Sequence, residues 1–278
     1  MSLQDALIIV LIASVMLSMG LALKPQNLWQ AIKHPKPLLL ILGINILLLP
    51  VIGWCLGQGL SAEMALALLL AGACGIGSTA PLFTANVRGD IALATAAMVI
   101  NGFICLLTLP FTLAMAGFEL ESSAVALSDV ALNAFYTLAL WQVLPLLLGM
   151  LVHRLWEAAA LVWAKRFKTL GNATLALLIV GITVTQGHLF LTLSVTDLAV
   201  MALLVLATYL LPFLFRSQQW GSTLVFCTST RNLNLALLLA SQVFASDALL
   251  LTILSYSAVM YILLLPFTVL LNKRAYVD

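Results

Sequence analysis

Arg231 lies in the run Cys227-Thr-Ser-Thr-Arg-Asn232, in the middle of an apolar stretch, 220–244, long enough to cross a bilayer. It is about eleven residues from Trp220, or about 16 Å along a helix, too far for its side chain to reach a membrane surface. A central arginine costs about 2.5–3.5 kcal/mol to insert. Helix carbonyl ends, a carboxylate or a bound anion must offset that cost, and Asp90 is a candidate carboxylate. The residue types around it (hydroxyls, an amide and a thiol) favour a polar binding site over a lipid-facing surface.

The elements that hold such a site must themselves lie in a membrane. The 278 residues are 63% hydrophobic and 8% charged, with a mean hydropathy of +1.16, and a soluble domain of this size cannot cover its surface with so few charges. A net charge of +2 without a basic run points away from nucleic acid. Residues 6–23 follow no basic region and precede no cleavage site, so they read as a retained helix. Cys55, Cys74, Cys105 and Cys227 are scattered singly, as buried thiols are, and make no metal motif.

On a ruler of about 20 residues per span, nine segments emerge: 5–23, 37–57, 63–87, 90–117, 129–153, 171–190, 195–216, 220–244 and 247–272. Basic residues concentrate in short cytoplasmic loops. With this count, eleven of the twelve fall on one side: Lys24, Lys33, Lys36, Arg88, Arg154, Lys165, Arg166, Lys168, Arg216, Lys273 and Arg274. The twelfth is Arg231. This places the N-terminus outside and the C-terminus in the cytoplasm, in the plasma membrane, the inner membrane of a bacterium. Residues 24–37 read as an interfacial turn. Residues 156–168 read as a short amphipathic surface helix and a hinge between halves.

An internal repeat runs through this order. Leu-Leu-Pro occurs at 48–50 and 210–212; a small-polar break follows each, 75–81 and 228–232; each is followed in turn by Leu-Pro-Phe-Thr, at 109–112 and 265–268. The two units enter the membrane from opposite sides, the pattern of an inverted repeat. Interrupted backbone at membrane depth is tolerated only in protein or against a cavity, so two facing breaks make one site. The alternative is that the glycines serve close helix packing. The candidate pathway residues are Gly77, Ser78, Thr79 and Pro81 in the first break and Cys227, Thr228, Ser229, Thr230, Arg231 and Asn232 in the second, with Asn45 and Asn101 beside them. Asn133, Gln142, Gln186, Gln242 and His188 are weaker candidates, as polar residues that also serve as interhelical glue.

Several of these stretches resemble one family. Met16–Leu28 (MLSMGLALKPQNL) with Lys33-His34-Pro35-Lys36 is similar to the segment entering the first cytoplasmic loop of the bile acid:sodium symporters. Val87–Ala94 (VRGDIALA) and Arg231–Leu237 (RNLNLAL) resemble the stretches at that family's two crossovers. The resemblance implies an all-α fold with a core domain of two crossing broken helices (37–117 and 195–272) and a panel domain (5–23, 129–153 and 171–190). It also implies that the chain starts at the second of ten helices, a nine-helix variant. Residues at the family's first sodium site correspond to Ala80, Pro81, Ala94 and Met98, its shared glutamate to Cys227, and a glutamine of the second site to Arg231, while Asn45 keeps an amide.

Those replacements remove the oxygens a hard cation needs and add a fixed positive charge. The expectation is a secondary transporter of a small organic anion, working by alternating access without a cofactor, with Arg231 in place of a sodium ion and attracting the substrate. The alternative is sodium held by backbone carbonyls with Thr228, Ser229 or Thr230. Intramembrane proteolysis is disfavoured: Val87-Arg88-Gly89-Asp90 lacks the first glycine of Gly-x-Gly-Asp, and Gly75-Ile76-Gly77-Ser78 is no Gly-x-Ser-Gly. A channel or ligand-sensing receptor remains a third class that the sequence does not separate from a carrier.

Overall fold

A computed structural model describes residues 3–23, 35–116, 127–186, 193–215 and 220–274, and all regular structure among them is helical. The elements are α1 (Leu3–Ala22), α2 (Pro35–Gly57), α3 (Ala62–Ala73), α4 (Ala80–Asn86), α5 (Ile91–Ala116), α6 (127–155), α7 (Glu157–Gln186), α8 (Val195–Phe213), α9 (Gly221–Ser229), α10 (Leu233–Gln242) and α11 (Asp247–Arg274). Six described stretches are long and apolar enough to cross a membrane: α1, α2, most of α5, α6 and α11, and α8. Two shorter apolar helices, α3 and α10, belong to the two interrupted segments. The interfacial turn expected at 24–37 is mostly outside the described residues, as are His188 and Arg216.

Two wide turns interrupt otherwise regular helices, Ile44–Leu48 in α2 and Ala139–Val143 in α6. Each is followed two residues later by a proline, Pro50 or Pro145, whose ring would clash with the carbonyl four residues back. At both places a backbone N–H reaches five residues back instead, Leu49 to Ile44 O and Leu144 to Ala139 O, the local adjustment that relieves a proline in a helix. Each wide turn carries a buried amide, Asn45 in α2 and Gln142 in α6.

The chain forms two compact units. One comprises Met1–Lys24, Leu106–Thr192 and Asn234–Leu254. Here α1 and α6 approach to backbone distance: a Cβ on Gly149 would stand 2.6 Å from Leu17 O, and one on Gly20 would strike Leu146 O. Small residues permit such contact where lipid offers helices no hydrophobic drive to associate. Polar pins add to it. His153 donates from Nδ1 to Leu21 O at 2.7 Å, and Ser18 Oγ donates to Ala164 O of α7 at 2.8 Å.

The structure corrects the reading of 156–168. These residues do not form a separate surface helix, because from Glu157 onward they are the first turns of α7, which continues to Gln186. Ala160 and Ala164 are buried against Leu21, and Gly171 packs on Val15, so α7 runs antiparallel along α1. A packed stripe on a neighbouring helix outweighs the local charge.

The second unit comprises Pro25–Cys105, Leu193–Leu233 and Ser255–Asp278. Three of its helix starts carry side-chain caps. Ser194 and Asp197 close a capping box on α8, Ser61 accepts from Met64 N at α3, and Asp90 Oδ1 accepts from Leu93 N at α5, 2.9 Å. Phe83 of α4 stacks on Phe226 of α9, centroids 6.0 Å apart. This unit holds both breaks, residues 74–79 and 230–232.

Candidate functional site at the paired helix breaks

The first break covers residues 74–79, between α3 and α4, and the second covers 230–232, between α9 and α10. Both differ slightly from the sequence reading. Pro81 opens α4 in its first turn, where a missing N–H costs nothing. Thr228 and Ser229 complete α9. The breaks pair in an isolated antiparallel bridge between Ile76 and Arg231: Gly77 N donates to Thr230 O at 2.7 Å, and Asn232 N donates to Gly75 O at 3.0 Å. Two interrupted segments thus satisfy each other's backbone at a depth without water.

Glycine is required on the first strand of this bridge. Gly75 has φ +71°, and a Cβ there would collide with Asn101 Oδ1. A Cβ on Gly77 would stand 2.7 Å from Arg231 O. Asn101 is fully buried, and its Oδ1 accepts from Ile76 N at 2.8 Å. Among the described residues, Asn101 Nδ2 and Asn232 Oδ1 have no hydrogen-bond partner, and both are sealed from solvent. Cys105, one turn beyond Asn101, points its thiol at Ala73 O, 3.6 Å.

Breaking a helix leaves C-terminal carbonyls without partners, and the local sequence supplies them. Thr230 Oγ1 donates to Phe226 O at 2.6 Å, Thr228 Oγ1 donates to Leu224 O and Val225 O and reaches Thr208 O on α8, and Asn45 Nδ2 reaches Cys227 O at 3.3 Å. Arg231 supplies the rest. Its Nε donates to Ala71 O at 2.8 Å, one Nη to Gly72 O, and the other to Asn45 Oδ1 and, at 3.4 Å, to Thr228 O. The guanidinium therefore closes the C-terminal ends of α3 and α9 at once, where the helix dipoles concentrate negative charge. Its own N–H meets Met260 Sδ of α11 at 3.4 Å.

The remaining candidates sort around this arrangement. Asn45 is a staple, bonded to Ile41 O, Cys227 O and Arg231. Ser78, Thr79 and Pro81 are half-buried, whereas Ala80, Ala94 and Met98 are buried. Cys227 is fully buried. Asp90 is corrected as a partner of Arg231: it is exposed, caps α5, and takes Thr223 Oγ1 through its N–H at 2.8 Å. The guanidinium's described partners are neutral oxygens instead. Asn133 is exposed, Gln242 bonds to Ser241, and the side chain of Gln186 is outside the described residues. Sequence reading missed Ala71 and Gly72, which act through backbone carbonyls; their place in the last turn before a break was the available signal. Met260 carried none.

Fold and site together define a polytopic helical membrane protein whose two interrupted segments meet at a charged backbone bridge. The family model described as Sodium Bile acid symporter family matches residues 9–193, about two thirds of the chain, and the chain belongs to that family. It is thus a membrane transporter of the bile acid symporter type. No curated protein matches the chain. The family match ends before α8, so Arg231 lies outside it.

Proposed function

We propose that the chain is a secondary carrier of a small organic anion in the plasma membrane, working by alternating access without sodium, with Arg231 as a tethered replacement for the coupling cation. In this reading nine spans place the N-terminus outside. The breaks belong to an inverted-repeat core, and α1, α6 and α7 belong to the panel. Those three helices share one compact unit, which also takes in the end of α5 and residues Asn234–Leu254 of the core segments.

One observation carries the reading: the Arg231 guanidinium donates to Ala71 O, Gly72 O, Thr228 O and Asn45 Oδ1 at the ends of two half-helices. Half-helix carbonyl ends of this kind coordinate sodium in transporters with broken helices. A covalently attached cation returns with the chain in every cycle, so a sodium gradient has no free energy to give it. The rival reading, sodium held by the Thr228–Thr230 segment, is disfavoured because the Arg231 guanidinium already donates to Thr228 O and places a fixed positive charge beside it.

The expected attraction of the substrate by Arg231 acts at a distance, on the same grounds. Four of its five N–H donors have protein acceptors, so a substrate senses its charge more than its fork. Asn101 Nδ2 and Asn232 Oδ1, on either side of the Gly75–Ile76 backbone, are the groups left over for a ligand once the site opens. The test is counterflow of radiolabelled taurocholate, and then of smaller carboxylates, in proteoliposomes containing sodium, potassium or choline chloride. Equal counterflow in all three supports the proposal. Strict sodium dependence would sink it, and channel-like flux without counterflow would sink the carrier class.

A further inference from the structure

The continuous course of α7 from Glu157 carries three cations along α1. Ser18 pairs with Ala164, Leu21 packs on Ala160 and Ala164, and Val15 packs on Gly171. This register sets Lys165, Arg166 and Lys168 alongside residues 15–18 of α1. They emerge four to seven residues before the end of α1 at Ala22, about 6–10 Å inside it at 1.5 Å per residue. The sequence of α1 is apolar to that end. All three side chains are exposed while the α1-facing stripe of α7 is buried. Cations at that depth on an outer face extend toward the headgroups, about one side-chain length away.

We propose that Lys165, Arg166 and Lys168 form a binding belt for the phosphates of anionic phospholipids. Lys165 and Lys168 stand three residues apart on one flank of α7. Arg166 lies over the ring of Trp163, 4.9 Å from its centroid, which holds the guanidinium beside an aromatic suited to the interface. Trp156 and Trp163 are 63% and 47% exposed, and exposed tryptophans of this kind favour the membrane–water interface. Arg154, also exposed, adds a fourth positive charge, and Glu157 is the single acid between 154 and 168. The net positive charge and its depth select a lipid phosphate drawn toward the helix, because a soluble anion would have to enter the apolar boundary alone.

The belt is independent of the transport proposal and is tested without a substrate. Thermal unfolding of the full chain in nanodiscs is followed as phosphatidylglycerol replaces phosphatidylcholine, with inorganic phosphate at matched ionic strength as a separate arm. The proposal expects stabilisation by phosphatidylglycerol, none by free phosphate, and affinity lowered roughly fivefold per charge removed, hence about a hundredfold in K165Q/R166Q/K168Q. Lys36→Gln, an exposed cation on α2, leaves the response unchanged. If the triple variant does not fold, K168Q alone, read by lipid retention in native mass spectrometry, carries the fivefold test. Equal responses to the two lipids, a shift reproduced by free phosphate, or a charge-removed variant with undiminished affinity would overturn the belt.

Discussion

Arg231 is tolerated at its depth because two helix ends need what it carries. Its insertion cost, about 2.5–3.5 kcal/mol, is matched by two C-terminal dipoles at up to about 2 kcal/mol each and by charge-assisted hydrogen bonds to four oxygens. Removing the side chain orphans the carbonyls of Ala71 and Gly72 together with Asn45 Oδ1. We therefore expect Arg231→Ala to lose about 3–5 kcal/mol of stability, measured by thermal unfolding in detergent. Arg231→Lys, which keeps the charge but not the planar fork, is expected to lose roughly half as much. Asn101→Leu strands Ile76 N and is expected to cost about 1–3 kcal/mol; an unchanged melting temperature would show that this amide is not a strut. The importance of Arg231 was legible because a charge in an apolar run has few explanations. Its partners were not, since a backbone carbonyl on Ala71 or Gly72 has no signature in the sequence.

At the scale of elements, the breaks were visible as small and polar residues repeated in order, and the bridge between them follows from what broken backbone requires in hydrocarbon. Their boundaries were harder. Pro81 reads as a helix breaker, yet a proline is equally a helix starter, and only the preceding glycines decide which role it takes. Residues 156–168 misled for a different reason: Lys165, Arg166 and Lys168 look like the polar face of a separate surface helix, while Ala160, Ala164 and Gly171, the residues that pack on α1, are too small to mark a buried stripe. Gly77→Ala, whose Cβ meets Arg231 O, is expected to force the two breaks apart. Expression and melting temperature should fall together, whereas Gly43→Ala, with no atom within 4 Å of the added Cβ, should be neutral. Comparable melting of the two variants would contradict the tight pairing.

At the scale of the molecule, composition alone placed the chain in a membrane, and the motifs around Met16–Leu28 and Val87–Ala94 pointed to the family whose model matches residues 9–193. The substrate was not legible, because the groups proposed for it, Asn101 Nδ2 and Asn232 Oδ1, are generic amide atoms. The central claim is that this chain carries its own cation at the paired breaks. The most direct test is thermal unfolding of the purified protein titrated with sodium chloride against choline chloride at constant ionic strength. A sodium site filled to a hundred times its Kd would stabilise the fold by about 2.7 kcal/mol. The account predicts a flat curve for the native protein and, for Arg231→Ala, a lowered baseline that sodium or millimolar guanidinium partly restores. A native melting temperature that climbs and saturates with sodium would contradict it.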